Sequence, residues 1–144
     1  MSPALISVIA FSAWTLIVLL AGVGTRRWYL IISRKAALTS FPADTPHGCA
    51  AYRRAMRAHA NCVENLPVYA SIVFTSEIAH IVPAHMTALA IAFIFSRIAQ
   101  SSVHMILPET NATVAIRFGF FFAQVAIMLW MIVGMAPSGF DTSA

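Results

Sequence analysis

Charged side chains are scarce in this sequence. Of its 144 residues, only 10% are Asp, Glu, Lys or Arg, whereas 60% are hydrophobic, and the mean hydropathy is +0.81. Such a composition leaves too few charged residues to cover the surface of a soluble domain. The chain therefore belongs in a lipid bilayer. At about 20 residues per transmembrane helix, its length leaves room for four spans with short connections and for no second domain.

Acidic residues and cysteines are also few, with five Asp and Glu residues and two cysteines. Cys49 and Cys62 lie on either side of a predicted loop-to-helix boundary, and no Cys or His residues have metal-ligand spacing. The sequence thus supports neither a disulfide framework nor a metal site. The first apolar run lacks a preceding positive segment and is too long for the hydrophobic region of a signal peptide, so we expect it to remain as a helix.

Basic residues are unevenly distributed. Seven of the nine lie between Arg26 and Arg57, and the other two, Arg97 and Arg117, lie inside apolar segments. This arrangement argues against a nucleic-acid-binding surface and is typical of a cytoplasmic connection between spans. We therefore expect the loop between the first and second spans to be cytoplasmic and both termini to lie on the opposite side.

Four apolar segments predict an all-α, integral-membrane four-helix bundle that forms a single domain over residues 1–144. The predicted spans cover about residues 4–32, 53–82, 84–107 and 112–136. Helix-breaking residues mark a loop at 36–48 and end the fourth span at 137–139. Pro67 lies inside the second span, and we expect a kink there because proline removes one backbone donor and crowds a carbonyl of the preceding turn.

Each of the last three spans carries polar residues on one helical face. These faces hold Arg57, Asn61 and Glu64 in the second span, Arg97, Ser101 and His104 in the third, and Arg117 and Gln124 in the fourth. At about 100° per residue, the members of each set lie within about 60° of one another. All three faces lie in the cytoplasmic leaflet, so they can line one pocket. Ionisable residues cost at least about 2.5 kcal/mol near the bilayer centre, and they usually face protein or water and mark function.

Several guanidiniums with one carboxylate and one amide suit a small polyanion that also carries an ammonium. Arginine binds carboxylates in a bidentate manner, and Glu64 would bind the amine. Glutathione fits this description, as do an amino-acid-like ligand and a phosphorylated one. The alternatives are that Arg57 extends to the lipid headgroups and that Glu64 pairs with Arg97 or Arg117 only to join helices. The coincidence of three polar faces at one depth favours a functional pocket.

Residues 53–67 read RRAMRAHANCVENLP. This stretch resembles the signature of the MAPEG family, the membrane-associated proteins in eicosanoid and glutathione metabolism. The second helix of that family carries an R-A-x-x-N-x-x-E-x-x-P pattern. Its specified positions are matched by Arg57, Ala58, Asn61, Glu64 and Pro67. Arg34, Arg97 and the segment AIRFGFFFAQ at 115–124 extend the resemblance over nearly the whole chain.

The resemblance implies a four-helix protomer that assembles as a homotrimer, with glutathione bound between adjacent subunits near the cytosolic face. By matching position, it assigns glutathione binding to Arg34, Arg57, Asn61, Glu64, Arg97 and His104. Arg117 would be the catalytic residue, because a nearby cation stabilises the thiolate of glutathione. The thiolate would attack a hydrophobic electrophile that arrives from the membrane, as in detoxification.

Two positions depart from the family's eicosanoid synthases. His104 stands where those enzymes have a tyrosine, and Phe118 follows Arg117 where the prostaglandin-E branch has a serine. These differences favour a general glutathione transferase, with peroxide reduction as a second reaction, over a specialised isomerase. The alternative is a non-catalytic lipid- or partner-binding protein, because the family includes a member that activates a partner enzyme without doing chemistry. A transporter is disfavoured because the polar faces stay in one leaflet.

Overall fold

The computed structural model describes residues 1–42, 47–83 and 85–136, and within these ranges it contains helices and no strand. The helices are α1 (Pro3–Ile17), α2 (Thr25–Ile32), α3 (Ala50–Ile78), α4 (Met86–Ile106) and α5 (Asn111–Met135), with a π-helical segment at Val18–Gly24 and a 3-10 turn at Leu38–Ser40. The all-α prediction is confirmed for this part of the chain. Part of the predicted loop, at 43–46, the first residue of the predicted third span, at 84, and the predicted stop at 137–139 lie outside the described residues.

Three helical segments are long and apolar enough to cross a membrane, namely the continuous Pro3–Ile32, α4 and α5. This supports an integral membrane protein. The fourth predicted span, α3, is not among them, although its 29 residues extend about 43 Å at about 1.5 Å per residue, more than the roughly 30 Å hydrocarbon core of a bilayer. The polar face that includes Arg57, Asn61 and Glu64 lowers its hydropathy. The helix α3 is therefore long enough to span the hydrocarbon core, and its polar residues explain its lower hydropathy.

The sequence did not predict the π-helical segment in the first helical rod. At its end, the N–H of Thr25 donates to the carbonyl of Leu20, five residues earlier. Gly22 lies within this segment and against α3, so closely that an added Cβ would be 3.1 Å from the Cβ of Ala55. This glycine allows the continuous helical segment Pro3–Ile32 to pack closely against the beginning of α3.

The interior of the bundle is apolar in one half and polar in the other. In the apolar half, the rings of Tyr69 and Phe93 stack with their centroids 3.9 Å apart, and Phe11 meets both rings edge-on. Aliphatic and methionine side chains of α1, α3, α4 and α5 complete this cluster. The polar half buries Arg97, Gln100, Ser101, His104 and Gln124. The third and fourth spans therefore turn polar side chains toward the protomer interior, away from lipid.

Pro67 lies inside α3, which continues through it to Ile78. Proline has no N–H, so the helix lacks one backbone hydrogen bond at this point. The carbonyl of Pro67 accepts a hydrogen bond from the hydroxyl of Ser71 at 2.7 Å. The kink that the sequence predicts here stays a prediction.

Candidate functional site

A cavity of about 320 Å³ lies between α3, α4 and α5. Its apolar wall is formed by Val114, Phe118 and Phe121 of α5. Its polar lining comes from Asn61, Glu64, Asn65, Arg97, Gln100, His104 and Arg117. The structure thus brings together five of the seven predicted site residues at one cavity, whereas the other two, Arg34 and Arg57, do not line it.

Arg117 and His104 are in direct contact at this cavity. Thr110 caps α5, since its hydroxyl accepts a hydrogen bond from the N–H of Thr113 at 3.2 Å, and this fixes the helix start that precedes Arg117. Nη1 of Arg117 lies 2.9 Å from Nδ1 and 3.3 Å from Nε2 of His104, and the Arg117 side chain is 15% exposed. Because the same guanidinium nitrogen is close to both ring nitrogens, it lies over the face of the imidazole, where a protonated ring would repel it. A neutral His104 therefore holds the cation of Arg117 at the cavity.

Gln100 connects this contact to the buried polar half of the bundle. Its Nε2 donates to the backbone carbonyl of Arg117 at 3.0 Å. Its Oε1 accepts from Nη1 of Arg97 at 2.9 Å and from Nε2 of Gln124 at 3.1 Å. Gln124 also donates to the hydroxyl of Ser96 at 3.2 Å. This network fixes α4 against α5 at the position of Arg117.

Among the described residues, Arg97 is the largest fully buried side chain, with only 1% of its surface exposed. Its guanidinium lies over the ring of Phe11, 5.4 Å from the centroid, which is a cation-π contact. Besides the bond to Gln100, its Nε and Nη2 make no hydrogen bond with any described residue. Buried N–H groups on a cation are costly when unpaired. Both nitrogens are themselves buried, so a ligand in the cavity reaches them only if the guanidinium turns toward it.

Glu64 and Asn61 line the cavity from α3. Glu64 is exposed on the protomer, and its carboxylate makes no ion pair or hydrogen bond with the described residues. Asn61 is half-buried, and its backbone carbonyl accepts a hydrogen bond from Nδ2 of Asn65 at 2.8 Å. An unpaired carboxylate on a membrane helix is unfavourable. Glu64 is thus available to a cationic ligand group or to a neighbouring protein surface.

Arg57 lines a second cavity of about 350 Å³, together with Arg53, Arg54 and Glu109. Its Nη1 forms an ion pair with Oε1 of Glu109 at 2.7 Å. Arg34 follows the end of α2, where it adopts a left-handed backbone conformation with φ of 55°. Its exposed side chain lines neither cavity. Within one protomer, Arg57 is adjacent to the candidate site and Arg34 is not part of it.

The sequence model of the MAPEG family matches residues 4–136, which is nearly the whole chain. The chain belongs to the MAPEG family. The resemblance carried by the R-A-x-x-N-x-x-E-x-x-P pattern is thereby confirmed. No curated protein matches the sequence. The family includes glutathione transferases, peroxidases and eicosanoid-synthesis enzymes, so membership supports a membrane protein without fixing the reaction.

The sequence analysis of this MAPEG protein assigned no role to Gln100 or Glu109. Gln100 lies four residues before His104 and three after Arg97, so the same helical periodicity could have placed it on the site face. Glu109 lies in the PETN connection between α4 and α5, where no periodicity exists. Only the structure shows its carboxylate between two arginines, 2.7 Å from Arg57 and 3.8 Å from Arg117.

Both cysteines are free thiols. Cys62 is buried, with its sulfur 3.5 Å from the hydroxyl of Ser101, whereas Cys49 is exposed before the start of α3. A backbone hydrogen bond from Tyr52 lowers the pKa of Cys49, and Arg26, whose Nη1 lies 3.1 Å from the sulfur, lowers it further. Among the described residues, no three His, Cys, Asp or Glu side chains form a group that could hold a metal ion.

Proposed function

We propose that this protein is a membrane-bound glutathione S-transferase that activates the glutathione thiol for attack on hydrophobic electrophiles. The observation that carries the proposal is the cavity in which Glu64, Arg97 and Arg117 meet opposite Phe118 and Phe121. Its charged side chains offer partners for the ionic groups of glutathione. Its aromatic wall offers a surface for an apolar second substrate that arrives from the bilayer.

The ionic groups of glutathione have complementary partners in and beside this cavity. Its ammonium would bind Glu64, which has no partner among the described residues. One carboxylate would bind the guanidinium of Arg57 and the other that of Arg97, once it has turned toward the cavity, since arginine donates to carboxylates in a bidentate geometry. Asn61 and His104 would add hydrogen bonds. This assignment relies on the unpaired Glu64 and on Arg57, whose ion pair with Glu109 is exposed, and it requires a rotation of the buried Arg97.

Arg117 is the proposed catalytic residue, and His104 holds it in place. A cation beside a thiol lowers the thiol pKa by about 1–3 units, which favours the thiolate at neutral pH. The thiol proton passes to water, and the thiolate attacks an electrophilic carbon of the second substrate. A C–S bond forms while the bond to the leaving group breaks, and the leaving group departs with the electron pair.

Peroxide reduction would use the same thiolate. It would attack the terminal oxygen of a hydroperoxide and break the O–O bond. The products are an alcohol, after the alkoxide takes up a proton, and the sulfenic acid of glutathione. A second glutathione would convert this sulfenic acid to the disulfide and water.

A homotrimer with glutathione between adjacent subunits completes the proposal. Glu64 is exposed on the protomer, and Arg34 lines neither cavity. A neighbouring subunit that covers Glu64 and contributes Arg34 would account for both observations. The seven basic residues of α2, of the beginning of α3 and of the connection between them support a cytoplasmic position for that connection, with both termini on the opposite side. The mass of the protein in detergent, measured by light scattering, tests the assembly.

Conjugation of glutathione to chlorodinitrobenzene by the purified protein tests the reaction, and the ultraviolet absorbance of the thiolate tests the activation. We expect a saturable thiolate signal in the wild type and a loss of about tenfold or more in conjugation rate in Arg117→Ala, with unchanged helical circular dichroism. Arg117→Lys retains the positive charge but lacks the planar guanidinium, and its thiolate absorbance should lie between those of the wild type and Arg117→Ala. Full activity of Arg117→Ala would remove this residue from the mechanism.

A non-catalytic role is the second candidate function, and the apolar wall of the cavity favours it. Val114, Phe118 and Phe121 could hold an acyl chain whose carboxylate binds Arg117. Saturable binding of a fatty acid, together with no thiolate signal and no conjugation in the wild type, would support this role over the transferase.

A further inference from the structure

Glu109 lies in the connection between α4 and α5, where it meets two arginines from different helices. Its Oε1 is 2.7 Å from Nη1 of Arg57 on α3 and 3.8 Å from Nη1 of Arg117 on α5. One carboxylate between two guanidiniums reduces their mutual repulsion. We infer that Glu109 is an internal competitor for the anionic groups of glutathione and that it sets the affinity of the site for this ligand. The inference rests on the proposed function, since it concerns the same site.

Competition follows from the donor that Glu109 occupies. Nη1 of Arg57 is engaged, so a ligand carboxylate must either displace Glu109 or share the guanidinium with it. In the first case an existing ion pair is broken, and in the second two carboxylates lie close together and repel. Both cases weaken binding of the ligand. Removal of the Glu109 charge therefore strengthens binding by either route.

The ion pair is weak enough to be exchanged. The side chains of Arg57 and Glu109 are 57% and 45% exposed, and ion pairs of this kind contribute little to stability. Glu109 lies between the end of α4 at Ile106 and the beginning of α5 at Asn111, outside either helix. Its carboxylate can therefore leave the arginines without breaking a helical backbone hydrogen bond.

Glu109→Gln tests the inference because it removes the charge and preserves the shape. The probe is glutathione sulfonate, whose sulfonate stands for the thiolate, and calorimetry on the full-length protein in detergent at low salt measures its dissociation constant. We expect that constant to fall about two- to fivefold in Glu109→Gln. In the conjugation assay, KM for glutathione should fall by a similar factor and kcat should stay within about twofold.

Two further variants serve as controls. Glu109→Asp retains a shorter carboxylate and should lie between the wild type and Glu109→Gln. Glu77→Gln removes the same charge from the far end of α3, where Glu77 accepts a hydrogen bond from Ser2, and should leave the dissociation constant unchanged. Their elution profiles and melting curves show that each variant is folded.

The outcomes separate this inference from the proposed function. Equal affinities of wild type and Glu109→Gln, or weaker binding by the variant, would overturn the competitor role and leave the glutathione site intact. Binding in the expected order without any conjugation would support the role of Glu109 and overturn the transferase. No binding of glutathione sulfonate by any form would overturn both.

Discussion

Gln100 forms hydrogen bonds that join α4 to α5 in the polar half of the bundle. The substitution Gln100→Met tests how much these bonds contribute to stability and to the position of Arg117. Methionine has a similar length and volume but none of the amide's polar atoms. The substitution removes the hydrogen bonds of Gln100 to Nη1 of Arg97, to Nε2 of Gln124 and to the backbone carbonyl of Arg117, at 2.9, 3.1 and 3.0 Å. It thereby uncouples α4 from α5 beside Arg117, the proposed catalytic residue.

The expected loss follows from the kind of each bond. An interhelical hydrogen bond in a membrane protein contributes about 0.6 kcal/mol on average. The bond to Arg97 is charge-assisted, and such bonds contribute about 1.5–3 kcal/mol in soluble proteins. Without it, Arg97 has no hydrogen bond from its guanidinium to any described residue. We therefore expect Gln100→Met to lower the free energy of unfolding by about 2–4 kcal/mol.

The assay combines stability with activation. Denaturation in mixed detergent micelles, followed by circular dichroism, measures the free energy of unfolding, and thiolate absorbance measures the activation of glutathione that we propose for Arg117. The matched control is Ser71→Ala, because the Ser71 hydroxyl is exposed and bonds only to a carbonyl of its own helix. If Gln100→Met is as stable as Ser71→Ala and gives the full thiolate signal, the network does not position Arg117.

Two further predictions concern regions outside the cavity. Iodoacetamide should alkylate Cys49 at a lower pH than an ordinary cysteine, because a backbone N–H of α3 and Arg26 lower its pKa and so raise the thiolate fraction at a given pH. Mass spectrometry of the labelled protein gives the pH midpoint, which should rise in Arg26→Ala; an unchanged midpoint would contradict the role of the arginine. Gly22→Val should lower the free energy of unfolding by about 1–3 kcal/mol relative to Gly119→Val, since a Cβ at Gly22 is 3.1 Å from that of Ala55 and Gly119 has open space. Equal thermal stability of the two valine variants would show that the helices adjust to the added side chain.

Helical periodicity predicted much of this fold and part of the candidate site. The apolar runs are long and nearly uncharged, so their helical state follows from length and composition alone. Arg97 and His104 were placed on one face because they are seven residues apart, and both are buried beside the cavity. Periodicity also grouped Asn61 with Glu64, and both line the cavity from α3. These predictions depend on local geometry, which a single helix determines.

Features that depend on other elements were not predictable in this way. Glu109 lies outside the helices, so its position between two arginines depends on how α3 and α5 pack. The depth of Arg97 depends on Phe11, a residue 86 positions earlier in the chain, whose ring lies beneath its guanidinium. The π-helical segment leaves no distinctive pattern beyond two glycines. Arg34 was assigned to the ligand by resemblance alone, and in the described part of the chain its side chain lines neither cavity.

The charges around the cavity are unbalanced, and this imbalance bears on the choice of ligand. Glu109 pairs with Arg57 and also lies 3.8 Å from Arg117, and His104 is neutral, so these two arginines and Arg97 exceed the carboxylates of Glu64 and Glu109 by one charge. Arg97 and Arg117 are the two arginines that line the cavity itself. In a medium of low dielectric constant an excess cation is costly, and the cost falls when an anion is bound. Glutathione as a thiolate carries three negative groups and one ammonium. It would pair with Glu64 through the ammonium while its anionic groups compensate both arginines, which a neutral lipid could not do.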